Sequence, residues 1–185
     1  MTINQQRISL KNLKVADFAS EETLCFTATV LFDGQPIAQA RNEGHGGETD
    51  LHPLRNAQAR LVEAEAFARS LPPFVSSHGG PNPSSEDSTI EMSLDFLVDL
   101  LADDMHVERK MRTSFRRDFG NKAMFVRDGD LRFLKGNVLK THVDKISLFA
   151  QMRKTFGDGI VILNELPLEE AFAIYKRHMA VDDAG

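Results

Sequence analysis

The stretch Phe26-Thr27-Ala28-Thr29-Val30-Leu31-Phe32, followed at once by Asp33-Gly34, constrains the fold more than any other part of the chain. Phe26, Ala28, Val30 and Phe32 alternate with Thr27, Thr29 and Leu31, the period of a strand with one buried face. Asp-Gly suits a two-residue hairpin turn because both positions tolerate positive φ. A return strand is therefore predicted near Ile37 to Arg41, with Pro36 at its first residue or on an edge, where no amide is needed. Arg7 to Val15 adds a third strand. Such a sheet must cover its apolar face. Leu54, Ala57, Leu61, Ala64, Ala68 and Leu71, with Phe67 beside them, form a helical stripe suited to this, with Asp50 as N-cap and Pro53 in the first turn.

Further along, Pro72 to Asp87 (PPFVSSHGGPNPSSED) has the Pro, Gly and Ser content of a linker. It separates a module at 1–71 from one at 88–185. Ser88-Thr89-Ile90-Glu91 reads as a capping box opening a helix. Its apolar face is Ile90, Leu94, Leu97, Val98, Leu101 and Met105, and it slips at Asp103-Asp104 before Val107, Met111, Phe115 and Phe119 continue it. One long helix ending at Gly120 and two helices joined at a bend both fit. A second hairpin, 123–134, turns at Asp128-Gly129. Thr141 with Asp144 suggests a weaker capping box for a helix through Ile146, Phe149, Ala150 and Phe156, stopped by Gly157. Gly159 to Leu163 reads as a short buried strand, and Pro167 starts a last helix through Leu168, Ala171, Phe172, Tyr175 and Met179, leaving a frayed VDDAG tail. The fold class is α+β: an N-terminal antiparallel sheet packed by a helix, then a mostly helical half with a second hairpin.

Composition narrows the classes of function. The single cysteine, Cys25, excludes an internal disulfide framework and a cysteine-based zinc site. No apolar run approaches the roughly 20 residues of a membrane span. The opening MTINQQRISL has neither the basic flank nor the apolar run of a signal peptide, so a cytoplasmic location is expected. Charge is uneven. Residues 1–106 hold 7 Lys/Arg against 16 Asp/Glu, a net of −9, whereas 107–145 hold 11 against 5, a net of +6. A basic segment on an acidic body can steer an anionic partner, or simply complement the rest of the fold.

Two groups of residues stand out as binding candidates. Asn42 to Pro53 (NEGHGGETDLHP) follows the first hairpin and gathers His45, His52, Glu43, Glu48 and Asp50 around Gly44, Gly46 and Gly47. Successive glycine amides can form an anion-holding nest, with a histidine donating to phosphate or acting as acid. Two histidines and a carboxylate can also bind zinc, and a plain strand-to-helix turn is the third reading. Because the hairpin is short, its return strand brings Asn42 to Gly47 beside Ser20 to Thr23. One exposed polar patch is thus predicted from Glu21, Glu22, Thr23, Asn42, His45, Gly46 and Gly47. The second group is basic: Arg109, Lys110, Arg112, Arg116 and Arg117 lie opposite the Met111/Phe115/Phe119 stripe, with Arg127 and Arg132 on the second hairpin. Together they suggest a continuous exposed face for phosphates, or a solvated helix face. No nucleophile elbow occurs, and Cys25 on a strand reads as packing, so no catalytic, metal or cofactor set is assigned.

The run ASEETLCFTATVLFDGQPIAQARNEGHGG, Ala19 to Gly47, resembles the N-terminal motif of uncharacterised small proteins of bacteriophages and other mobile elements. That motif combines Ser-Glu-Glu-Thr, Cys-Phe, a strand ending in Asp-Gly, and Asn-x-Gly-His-Gly-Gly. The basic helix and AMFVRDGDLRFLKG, Ala123 to Gly136, are similar as well. The resemblance implies an accessory protein that works in the host cytoplasm by binding and inhibiting a host protein, defence proteins included. Two alternatives stay open: a module that binds or sequesters a nucleotide or nucleic acid, and a hydrolase using His45 as acid or base.

Overall fold

The computed structural model describes residues 5–76, 88–136, 138–141 and 144–182. They form two compact units, Met1–Val107 and Glu108–Gly185, with the division falling inside one long helix. The architecture is α+β.

In the first unit, strands β1 (Ile8–Val15), β2 (Phe26–Phe32), β3 (Gln35–Asn42) and β4 (Asp50–Pro53) make an antiparallel sheet in sequence order. The predicted turn forms: Asp33 and Gly34 sit at φ 49° and 77°, the pair of left-handed positions that matches strand twist. Arg7 clamps it, its guanidinium donating twice to Asp33 at 2.9 and 2.7 Å while lying over the Phe32 ring. Pairing of β1 with β2 is interrupted between Lys11 and Lys14, where Asn12 takes φ 55° and forms a bulge.

β4 corrects the expectation of a helix capped by Asp50. Ala38 to Arg41 would otherwise leave their outer backbone groups unpaired, and 50–53 instead pairs with them, Arg41 facing Asp50 and Ala38 facing Pro53. Pro53 is tolerated because it closes an edge strand. The chain then turns through Asn56 at φ 64°, and helix α1 runs Gln58–Arg69. Leu61, Ala64 and Ala68 of α1 bury against Ile8, Val30, Phe32 and Ile37 of the sheet.

Strands β5 (Phe74–Ser76) and β6 (Ser88–Ile90) pair with each other, so Ser88 does not open a helix. The following helix, α2, starts at Leu94, where the Ser93 hydroxyl accepts from the Phe96 amide. Residues 77–87, most of the expected linker, lie outside the described residues. Phe74 and Met92, on its two sides, pack in the same core. α2 is one continuous helix from Leu94 to Asn121, through Asp103-Asp104, and ends one residue beyond Gly120. Leu94, Leu97, Val98 and Ala102, from its first turns, complete the cover of the sheet.

The second unit holds β7 (Met124–Arg127), β8 (Asp130–Phe133), a short helix α3 (Val138–Thr141), α4 (Lys145–Phe156), β9 (Val161–Ile162) and α5 (Leu168–Asp182). β7 is the central strand of the order β8-β7-β9. Asp128 and Gly129 repeat the left-handed pair at φ 54° and 86°. Asp144 caps α4, accepting from the Ser147 amide at 3.1 Å, and Thr141 is the last residue of α3. Gly157, at φ 100°, stops α4. Asn164 closes the end of α2, donating to the carbonyls of Phe119 and Lys122 while accepting from the Met124 amide. Of the tail, 183–185 lies outside the described residues.

Candidate functional site

The polar end of the first unit is built by two segments that meet as the hairpin predicts. The Gly44 carbonyl accepts from the amides of Glu21, Glu22 and Thr23 at 3.0, 3.0 and 3.3 Å. Gly44 sits at φ 88°, and a side chain there would come within 2.1 Å of the Ala19 carbonyl oxygen. Only glycine allows this approach. Thr23 donates from its hydroxyl to Asn42 Oδ1 at 2.9 Å and accepts from the Gly46 amide at 3.3 Å. Asn42 uses its whole amide, since Oδ1 also accepts from the Gly44 amide and Nδ2 donates to the Gly47 carbonyl and the Thr49 hydroxyl.

This geometry divides the predicted patch into an internal frame and an exposed rim. Asn42 is only 3% exposed and Gly44 is buried, so both belong to the frame. Glu21, Glu22, His45, Gly46 and Gly47 are exposed, and Thr23 is half-buried. His45 Nδ1 lies 3.4 Å from Glu21 Oε2, both side chains being mostly in solvent. The amides of Gly44 and Gly46 point at Asn42 and Thr23, and the Glu22 carboxylate lies against Gly46. An anion nest over those amides is therefore closed from within. His52 lies on β4 opposite Gln39, away from the loop that carries His45. No group of three or more His, Cys, Asp or Glu suited to a metal occurs among the described residues.

Three features of this end were missed in the sequence. The first is Thr49, which donates to Asp99 of α2 through a short hydrogen bond and so extends the Asn42 network to the helix. Burial, opposed by that hydrogen bond and reinforced by Asp95 and Asp103, pushes the Asp99 carboxyl up to about 6. The second is an acidic cleft of about 370 Å³, lined by Glu22, Glu48, Asp95, Asp99 and Asp103 around Thr23 and Gly46. The spacing Asp95-x3-Asp99-x3-Asp103 is its sequence signal, one carboxylate per helical turn on the flank of the apolar stripe. The third is Phe18, 93% exposed on a single helical turn, Asp17–Ala19. That turn is held by the Ala19 amide on the Ala16 carbonyl and by Asp17 on His106 Nε2 at 2.9 Å.

Several cations of the basic segment have a carboxylate beside them. Arg112 donates to Glu108 and, with one nitrogen, to both oxygens of Glu169, and it lies 4.2 Å from the Phe172 ring centre. Arg117 and Lys122 face Asp118, Arg127 faces Asp128, and Arg132 faces Asp130. Carboxylates interleave the cations, and the segment 107–145 keeps a net charge of +6. Arg109 and Lys110 also have interactions, and Arg116 is exposed without an ion pair among the described residues.

No protein-family model matches the chain, and no significant similarity is found among curated proteins or solved structures.

Proposed function

We propose that the protein acts by binding a partner protein through the Phe18 end of its first unit. The observation that carries this reading is the exposure of Phe18 on a turn that is itself fixed by hydrogen bonds. A backbone already fixed beneath an exposed aromatic ring spares part of the ordering cost on docking, and aromatic anchors contribute strongly to interfaces. Asp17 precedes it, Glu21 and Glu22 follow within four residues, and Glu22 also lines the acidic cleft of the same unit, so the matching surface is an apolar pocket rimmed by Lys or Arg. The resemblance to phage and mobile-element proteins supports a host protein as that partner and inhibition as the outcome, anti-phage defence proteins being the leading class. His45 lies 3.4 Å from Glu21, both side chains mostly in solvent, so this pair belongs to the exposed rim.

The test places a photo-reactive phenylalanine analogue at position 18 in the full chain, expressed in a bacterial host. The expected result is one discrete adduct, weakened by Glu21→Lys and absent when the analogue replaces Ile146, an apolar residue of the second unit that is 83% exposed. No adduct, or the same adducts from both positions, would overturn the reading.

A further inference from the structure

The solvent face of the four-stranded sheet carries a groove with a cationic end and a neutral end. Lys14, Thr27 and Arg41 stand in one cross-strand row, so both cations flank the Thr27 hydroxyl. Strands are about 4.8 Å apart, which puts the two cationic residues roughly 10 Å apart at Cα, close enough for long side chains to converge above Thr27. An opening of about 510 Å³ lies there, with His45 at its rim and Val15 and Phe26 in its wall. A second, of about 520 Å³, shares Lys14 and Thr27 and continues past Thr29 and Gln39. Along that continuation the lining is uncharged and can hydrogen-bond; Gln39 already donates to the Thr29 hydroxyl at 3.2 Å.

The cations of this unit differ in their pairing. Arg7, Arg60 and Arg69 each face a carboxylate, whereas Lys11 and Arg55 have no ion pair among the described residues. Lys14 has no ion-pair partner among the described residues, although 1–106 carries a net charge of −9. Arg41 pairs with Glu43, which also lines the first opening, and stands in register with Asp50 of β4. A dianionic group there would pair with Lys14 and compete with Glu43 for Arg41.

We propose that this groove binds a mononucleotide, its phosphate between Lys14 and Arg41 and its sugar and base over Thr27, Thr29 and Gln39. The proposal does not rest on the Phe18 reading, since the two surfaces use different residues.

The test is a titration of the isotope-labelled full chain, followed by amide resonances, with inorganic phosphate and with AMP, CMP, GMP and UMP in turn. Phosphate is expected to shift Lys14, Thr27 and Arg41. At least one nucleotide is expected to shift Thr29 and Gln39 as well and to bind about tenfold tighter than phosphate, equivalent to about 1.4 kcal/mol. Lys14→Gln, an exposed change, should weaken that nucleotide by a similar factor while leaving resonances outside the groove in place. Nucleotides binding no tighter than phosphate, shifts centred elsewhere, or an unaffected Lys14→Gln chain would each overturn the proposal. So would binding of a ten-nucleotide thymidine strand when no mononucleotide binds, which would assign the face to nucleic acid.

Discussion

Thr23 donates its hydroxyl to the buried Asn42 side chain at 2.9 Å, joining two segments 19 residues apart in sequence. Asn42 is the centre of that joint, with every polar position of its amide in use. Removing it strands several buried partners at once, and each unsatisfied group costs about 1–3 kcal/mol. Asn42→Ala should therefore lower the unfolding free energy by roughly 2–4 kcal/mol, read from urea denaturation. Thr23→Val should cost less, because the Asn42 carbonyl keeps the Gly44 amide.

The three glycines of the loop should respond differently to alanine. Gly44→Ala meets the Ala19 backbone and should unfold the first unit or cost several kcal/mol. Gly46→Ala adds strain at φ 83° but meets the mobile end of Glu22, so a smaller loss is expected, on the order of 1–2 kcal/mol. Gly47→Ala has open space and no left-handed backbone and should be nearly silent. Thermal midpoints of the three variants check this ordering. His45→Ala, on an exposed side chain, should leave the fold intact.

Asp99 gives the first unit a pH dependence of definite sign. Its carboxyl titrates near 6 in the folded chain against 3.8 for an unperturbed group, so the folded state binds the extra proton. The associated stability is present below about pH 4 and is lost as pH rises through about 6. Other carboxylates oppose this, Asp33 and Glu108 being held below their usual range by arginine partners. The isolating variant is Asp99→Asn, whose amide oxygen still accepts from Thr49. Asp99→Asn should raise the thermal midpoint at pH 7–8, with the gain fading toward pH 4. A variant less stable than the parent at pH 8 would show that the carboxylate is needed as a charge.

Within the basic segment, Arg112 and Arg116 should separate a structural cation from a free one. Arg112→Ala removes contacts to Glu108, Glu169 and Phe172 and should lower the thermal midpoint measurably. Arg116→Glu should leave it within the scatter of surface substitutions, about 0.5 kcal/mol.

What could be read from sequence follows the range of the interactions involved. Asp33-Gly34 and Asp128-Gly129 are local signals, and both turns form as the dipeptides require. The adjacency of Ser20–Thr23 and Asn42–Gly47 also follows from local information, because a two-residue turn fixes which residues face each other along the strands. β4 was hidden because Asp50-Leu51-His52-Pro53 has weak strand character, and the need for it arises only from the open edge of β3. Ser88–Ile90 had a helix-start pattern, overridden by pairing with Phe74–Ser76. The burial of Asn42 and the pairing of Arg112 with Glu169, 57 residues away, depend on tertiary placement that no window of sequence contains.

An anchoring Phe18 ties the affinity of the protein partner to its ring. With the partner identified through the position-18 adduct, binding of the parent chain and of Phe18→Ala should be compared by calorimetry. An interface anchor is worth about 2 kcal/mol or more, so a loss of roughly 30-fold is predicted, with the thermal midpoint of the free chain unchanged. Equal affinities for the two chains would contradict the account.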